Sequence, residues 1–124
     1  MIIGIGNDIV SVPDIEQSIN NSWRFVERVF SQNEQDYSEN KLNKYQRYAG
    51  YFAVKEAVMK ALGTGWNEGV QWKHIEVKHD PSGRPQVELH QEAKKQAELL
   101  QVKTIHISLS HTEQYATAIA ILEK

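Results

Sequence analysis

Two acidic side chains, Asp8 and Glu56, stand in segments that are otherwise mostly apolar. On an extended strand, Asp8 shares a face with Gly4 and Gly6, whose missing side chains leave space beside the carboxylate for a phosphate or a hydrated metal. The plainer alternative is a bulge at the glycines, with Asp8 capping a turn. Glu56 falls within AGYFAVKEAVMKAL, residues 49–62, where ten of fourteen positions are apolar. A carboxylate there is costly unless it is paired or binds a cation, and Lys60, four residues on, is the ready partner. Lys55 and Lys60 can meet phosphate oxygens as cations, or simply carry their ammonium groups out to water. His111 follows the run IHISLS beside Ser110 and Thr112, where it can touch a phosphate, relay a proton or satisfy a turn. Gly63, Thr64 and Gly65 can wrap a phosphate with backbone N–H groups or merely stop a helix. His74, His79, His90 and His106 lack zinc-ligand spacing with His111. The GIG at residues 4–6 is not a complete dinucleotide fingerprint.

The elements that must position these groups are legible in outline. Residues 2–10 read as a mostly buried strand carrying Ile2, Ile3, Ile5, Ile9 and Val10. Ser11, Pro13, Asp14 and Glu16 form a helix start, and helical spacing continues through Trp23, Phe25, Val26 and Val29. Ser31 and Glu34 have capping-box spacing. Residues 43–62 predict a central buried helix, apolar nearly all round, that stops at Gly63. Residues 74–79 and 86–89 flank a turn at Asp80–Gly83 and predict a hairpin. A polar amphipathic helix follows over 91–101. Residues 104–110 alternate, with Ile105, Ile107 and Leu109 on one face and His106, Ser108 and Ser110 on the other. YATAIAIL, residues 115–122, reads as a well-buried last strand. The order βαααββαββ predicts an α+β fold, a small mainly antiparallel sheet packed on a long buried helix and shorter helices.

The 124 residues fit one domain spanning 1–124. With 40% hydrophobic and 24% charged residues, the chain is globular rather than disordered. The absence of cysteine excludes disulfides and thiolate chemistry. A net charge of −2 with scattered Lys and Arg gives no nucleic-acid footprint. No run reaches the roughly 20 apolar residues of a membrane helix, and MIIGIGNDIV lacks the form of a signal peptide. The expectation is a cytoplasmic protein with no membrane and no nucleic-acid partner.

Four collinear segments change the weight of these signals: GIGNDIV, FVERVFSQNE, YFAVKEAVMKALGTG and ISLSHTEQYATAIAIL. Together they resemble the holo-acyl-carrier-protein synthase family over essentially the whole chain. The resemblance implies an enzyme that moves 4′-phosphopantetheine from coenzyme A to a serine of an apo acyl carrier protein in fatty acid biosynthesis, releasing adenosine 3′,5′-bisphosphate. It implies Mg²⁺ dependence and a homotrimer with active sites between subunits. Carried over by motif, Asp8 and Glu56 are the metal ligands, and Lys60 contacts the transferred phosphate. His111 and the Gly63–Gly65 turn line the coenzyme A site, with Lys55, Ser110 and Thr112 as further candidate contacts. The chemistry agrees, because phosphoryl-type displacement needs charge neutralisation and in-line positioning, and Mg²⁺ prefers carboxylate, water and phosphate oxygens. The base for the serine proton stays open between Glu56 and a water held by the metal.

Two positions depart from the family pattern. Tyr51 stands where an arginine usually helps hold a coenzyme A phosphate, and Asp14 where an arginine usually faces the acidic carrier; Arg24 and Arg28 remain for docking. Two other readings follow: a non-catalytic coenzyme A-binding or structural trimer member of the family, and a transferase for a secondary-metabolite carrier protein.

Overall fold

A computed structural model describes residues 1–64 and 69–124. Strand β1 (Ile2–Ser11) leads into α1 (Val12–Asn21), α2 (Trp23–Val29), α3 (Gln32–Glu39) and the long α4 (Lys44–Leu62). A 3-10 turn at Trp72–His74 precedes β2 (Ile75–His79) and β3 (Pro85–Leu89), then α5 (Gln91–Leu99), β4 (Thr104–His111) and β5 (Tyr115–Glu123). The expected α+β class is observed. One helix more than expected precedes β2. Ser22, extended at φ −161° and ψ 120°, separates α1 from α2, although the apolar spacing runs on across it.

Local chemistry accounts for the ends. The Ser11 side chain accepts from the Asp14 N–H at the start of α1. At α3 the capping box is complete: Ser31 N donates to Glu34 Oε1 at 2.8 Å, and Glu34 N to Ser31 Oγ at 3.2 Å. Gly63 ends α4 at φ +77°, a left-handed conformation that glycine adopts without strain.

The strands form a three-stranded antiparallel sheet, ordered β1-β5-β4, and a separate β2-β3 hairpin. Ala116, Ala118, Ala120 and Leu122 of β5 face inward and are buried. Those small side chains let α4 lie close across the sheet. On β1 the approach is closer still: a Cβ on Gly6 would fall onto the carbonyl oxygen of Ala57, and one on Gly4 onto that of Ala61. The space left by the two glycines therefore holds helix backbone, not the phosphate or hydrated metal that the sequence suggested.

The opening strand is only half buried, contrary to expectation, with Ile2, Ile5 and Ile9 54%, 61% and 65% exposed. The last strand likewise exposes Tyr115 and Ile119 while burying its alanines. Helices cover one face of the sheet and leave the other open. Among the described residues no helix is long and apolar enough to cross a membrane.

If backbone contact at Gly6 seats the helix, Gly6→Ala must push α4 off β1. The expected loss is about 1–3 kcal/mol or more, because backbone rather than a flexible side chain meets the new methyl. Urea denaturation measures it; an unchanged midpoint would mean that α4 does not rest on this strand.

Candidate active site

The glycine contacts run in opposite directions along the two elements, Gly4 against Ala61 and Gly6 against Ala57. Two strand residues advance about 6.6 Å and four helical residues about 6 Å, so the pairing continues in step. Asp8, two residues further along β1, reaches α4 through Lys60.

Asp8 Oδ1 accepts from Lys60 Nζ at 3.1 Å, and the same ammonium donates to the Asn7 carbonyl at 3.0 Å. The Asp8 side chain is 16% exposed and that of Lys60 55%, so the pair lies at the rim and the lysine can swing away. A cleft of about 550 Å³ opens beside it, bordered by Asp8, Lys60, Ser108, Ser110 and Ile119. Lys60 thus pairs with Asp8, not with Glu56 as the simplest helical pairing suggested.

Glu56 instead accepts from the indole N–H of Trp72, Nε1 to Oε1 at 3.0 Å. The Trp72 ring packs on Phe52 with centroids 5.6 Å apart, and the Arg28 guanidinium lies 5.8 Å from it. Indole nitrogen donates only, so the bond fixes one Glu56 oxygen and leaves Oε2 for other partners. Nothing in the local sequence pattern marks Trp72 as a partner of Glu56; the contact crosses from the 3-10 turn to α4.

Lys55 is not at this site. Its side chain is fully buried, and its ammonium contacts Glu34 Oε1 at 2.9 Å, the Ile75 carbonyl at 2.5 Å and the Trp72 carbonyl at 3.2 Å. Those three acceptors match the three protons of an ammonium. Glu34 Oε2 also accepts from Val77 N at 2.7 Å. Burial pulls the Lys55 pKa below the usual lysine range, and the Glu34 carboxylate opposes that pull. The expectation that Lys55 meets a coenzyme A phosphate is corrected, and so is the picture of a solvated head: the charge is sealed inside the fold.

His111, the last residue of β4, hydrogen-bonds through Nδ1 to Gln46 Oε1 at 2.7 Å. Burial lowers its pKa, and the positive Arg47 lowers it further. It borders a second cleft of about 320 Å³ together with Arg47, Tyr51 and His79, and Leu109 borders both clefts. Ser110 is exposed beside the first cleft. The Thr112 oxygen accepts from Gln114 N and Tyr115 N at 3.2 and 3.1 Å, so it builds the β4–β5 turn. Gly63 caps α4, and the buried Thr64 hydroxyl has no hydrogen-bond partner among the described residues. Gly65 lies outside the described residues. Arg24 and Arg28 are exposed on α2.

As a donor set for a cation, Asp8 and Glu56 fit Mg²⁺. Both offer hard oxygens, and no thiolate is available anywhere in the chain. Among the described residues no three His, Cys, Asp or Glu side chains gather as a metal cage.

A family model described as the 4′-phosphopantetheinyl transferase superfamily matches residues 4–120. The chain belongs to that superfamily. Its relatives include a holo-[acyl-carrier-protein] synthase of Koribacter versatilis, 48% identical over 99% of both chains. The holo-[acyl-carrier-protein] synthase structure from Neisseria meningitidis superposes with a TM-score of 0.90 at 30% identity, covering all of both chains. That from Bacillus anthracis, in complex with CoA (3′,5′-ADP), gives 0.83 at 32% identity over 100% of this chain and 98% of the other. In this phosphopantetheinyl transferase family member, Tyr51 is buried at 3% exposure, and its hydroxyl lies 2.7 Å from His79 Nε2. Residue 51 is therefore a wall of the second cleft.

The placement of Lys55 yields a sharp expectation. Lys55→Met leaves Glu34 buried without its cation and costs about 3–5 kcal/mol of stability. Its KM for coenzyme A, measured on the folded fraction, stays at the wild-type value. A raised KM with unchanged stability would return Lys55 to the phosphate site.

Proposed function

We propose that the chain transfers 4′-phosphopantetheine from coenzyme A to a serine of an apo acyl carrier protein, serving fatty acid biosynthesis and releasing adenosine 3′,5′-bisphosphate. One observation supports the reading: β1 and α4 meet backbone to backbone, and Asp8 of that strand pairs with Lys60 of the helix that also carries Glu56. In this reading Asp8 and Glu56 hold Mg²⁺, which when bound neutralises charge on the pyrophosphate as the leaving group departs.

The chain's own side chains do the rest. Lys60 leaves Asp8 and turns its ammonium to the phosphoryl oxygens. The carrier serine oxygen attacks the phosphorus that bears the pantetheine arm. A P–O bond forms, the pyrophosphate P–O bond breaks, and the electron pair leaves with the 5′-phosphate of adenosine 3′,5′-bisphosphate. The serine proton passes to Glu56 Oε2 or to solvent, because Oε1 is engaged by Trp72. His111, Ser110 and the Gly63–Gly65 turn belong to the donor site in this reading. Thr112 serves it by shaping the turn after His111.

The same reading makes the working form a homotrimer in the cytoplasm, with active sites between subunits. The open sheet face supports self-association: Ile5, Ile9, Tyr115 and Ile119 present exposed apolar surface on it among the described residues. Carrier docking is assigned to the exposed Arg24 and Arg28. Asp14, exposed in the first turn of α1, favours a second reading in which the preferred carrier is less acidic there, as on a secondary-metabolite synthase.

Incubation with coenzyme A, Mg²⁺ and apo carrier proteins tests the proposal. Mass spectrometry should show the carrier gaining a phosphopantetheine arm, and a panel of carriers with no gain would sink it. Glu56→Gln retains the fold but loses about a hundredfold or more in rate, the scale of several kcal/mol of charge stabilisation. Full activity in that variant, or in wild type stripped with EDTA, excludes the metal assignment. Asp14→Arg lowers the KM for an acidic carrier severalfold at low salt, an effect that fades as ionic strength rises. An unchanged KM rules out electrostatic docking at that position.

A further inference from the structure

Glu56 has no counter-ion. It is half-buried on α4, and among the described residues no lysine, arginine or histidine comes within ion-pair distance of it. Lys60, four residues on, is engaged by Asp8, and the adjacent Lys55 by Glu34. The group that does meet Glu56 is neutral: the indole Nε1 of Trp72, 3.0 Å from Oε1.

That indole is fixed from several sides. Its ring packs on Phe52, one helical turn before Glu56 on the same face of α4, with centroids 5.6 Å apart. Phe52 in turn stacks on Phe25 of α2, with centroids 6.2 Å and planes 29° apart. The Arg28 guanidinium, also from α2, lies 5.8 Å from the indole centroid. The Trp72 carbonyl accepts from the buried Lys55 ammonium at 3.2 Å, and that ammonium is itself held by Glu34 and the Ile75 carbonyl. Backbone and ring are therefore anchored to α2, α3 and α4 independently of Glu56. The N–H is aimed before anything binds, and it selects one position for a long, otherwise flexible side chain.

The kind of donor matters. An arginine or lysine in this place would also orient the carboxylate, but its charge would offset that of Glu56 and repel an incoming cation. An indole N–H holds Oε1 with no formal charge of its own, so the carboxylate keeps its attraction for a dication and presents Oε2 to it. Carboxylates that bind metals are oriented by outer hydrogen bonds of this sort. We infer that Trp72 is a positioning residue for the proposed metal site: its indole N–H holds Glu56 ready for the cation without neutralising it. The assignment rests on the transferase reading, in which Glu56 is a metal ligand.

Calorimetric titration with Mn²⁺, standing in for Mg²⁺, tests it on wild type, Trp72→Phe, Trp72→His and Glu56→Gln. The titrations run at about pH 8, where an ordinary imidazole is neutral, and are read per folded molecule. Phenylalanine keeps a ring against Phe52 and removes the donor. Histidine is smaller, yet its Nε2 occupies the ring position at which indole carries Nε1. Trp72→Phe should weaken Mn²⁺ binding about tenfold. Trp72→His should bind more tightly than Trp72→Phe although it fills less space, a ranking that a packing role alone would reverse. A loss of less than about threefold in Trp72→Phe, or a histidine variant no better than phenylalanine, overturns the role of the N–H and leaves the transferase reading standing. Where Trp72→Phe does not fold, Trp72→His decides: affinity within about fivefold of wild type supports the assignment, and a larger loss overturns it. Wild type that binds no Mn²⁺, or Glu56→Gln that binds it as wild type does, overturns the metal reading along with it.

Discussion

Gly4 and Gly6 bring the backbone of β1 against the carbonyls of Ala57 and Ala61, and the position of every candidate catalytic group follows from that contact. Strand side chains alternate, so a slip of one residue would press Ile5 and Asn7 onto the helix, where there is no room for a side chain. The register is thus set by steric exclusion between two backbones. Asp8 is carried to Lys60 by that register, not by attraction to it. A rim ion pair with a half-exposed lysine contributes about 0–1 kcal/mol, too little to place a strand. It is also weak enough to yield to a divalent cation or to a phosphate.

A second set of contacts holds α4 from the other side. The buried Lys55 joins Glu34 of α3 to the carbonyls of Trp72 and Ile75, and Glu34 in turn receives Val77 N. These bonds tie the 3-10 turn and the first residues of β2 to the helix. Trp72 is held in the same stroke, and its indole N–H then reaches Glu56. Lys55 and Lys60 are five residues apart, yet one has become an interior fastener and the other a half-exposed cation paired with Asp8 at a cleft. Burial alone separates them: full desolvation demands three hydrogen bonds and a counter-ion, which only a fixed network supplies.

The sequence showed the features whose causes are local. The capping box at Ser31 and Glu34, the α4 stop at Gly63 and the β2–β3 hairpin each depend on residues within a few positions of one another. Asp8 and Glu56 also stood out as candidates, each an acid among apolar residues. Features decided at long range did not show. The run Ile2–Val10 has apolar residues on both faces, and alternation cannot say which face a helix will cover, so Ile5 and Ile9 read as buried when they are exposed. Lys55 lies on a helix apolar nearly all round, and Glu34, its partner, had a sufficient local explanation as a capping residue. The indole of Trp72 can donate to any acceptor brought within reach, and no spacing marks which one.

The two halves of the proposed site also differ in how tightly geometry binds them. In the proposed reading Asp8 and Glu56 would hold a cation that neutralises phosphate charge, and short carboxylate side chains would depend on the rigid β1–α4 contact to stay in place. Phosphate recognition is more permissive. A guanidinium reaches it on a long stem, and two positions one turn apart on α4 point toward the same cleft. Arg47 and Tyr51 both border the second cleft, and the Tyr51 hydroxyl, 2.7 Å from His79 Nε2, stiffens its wall.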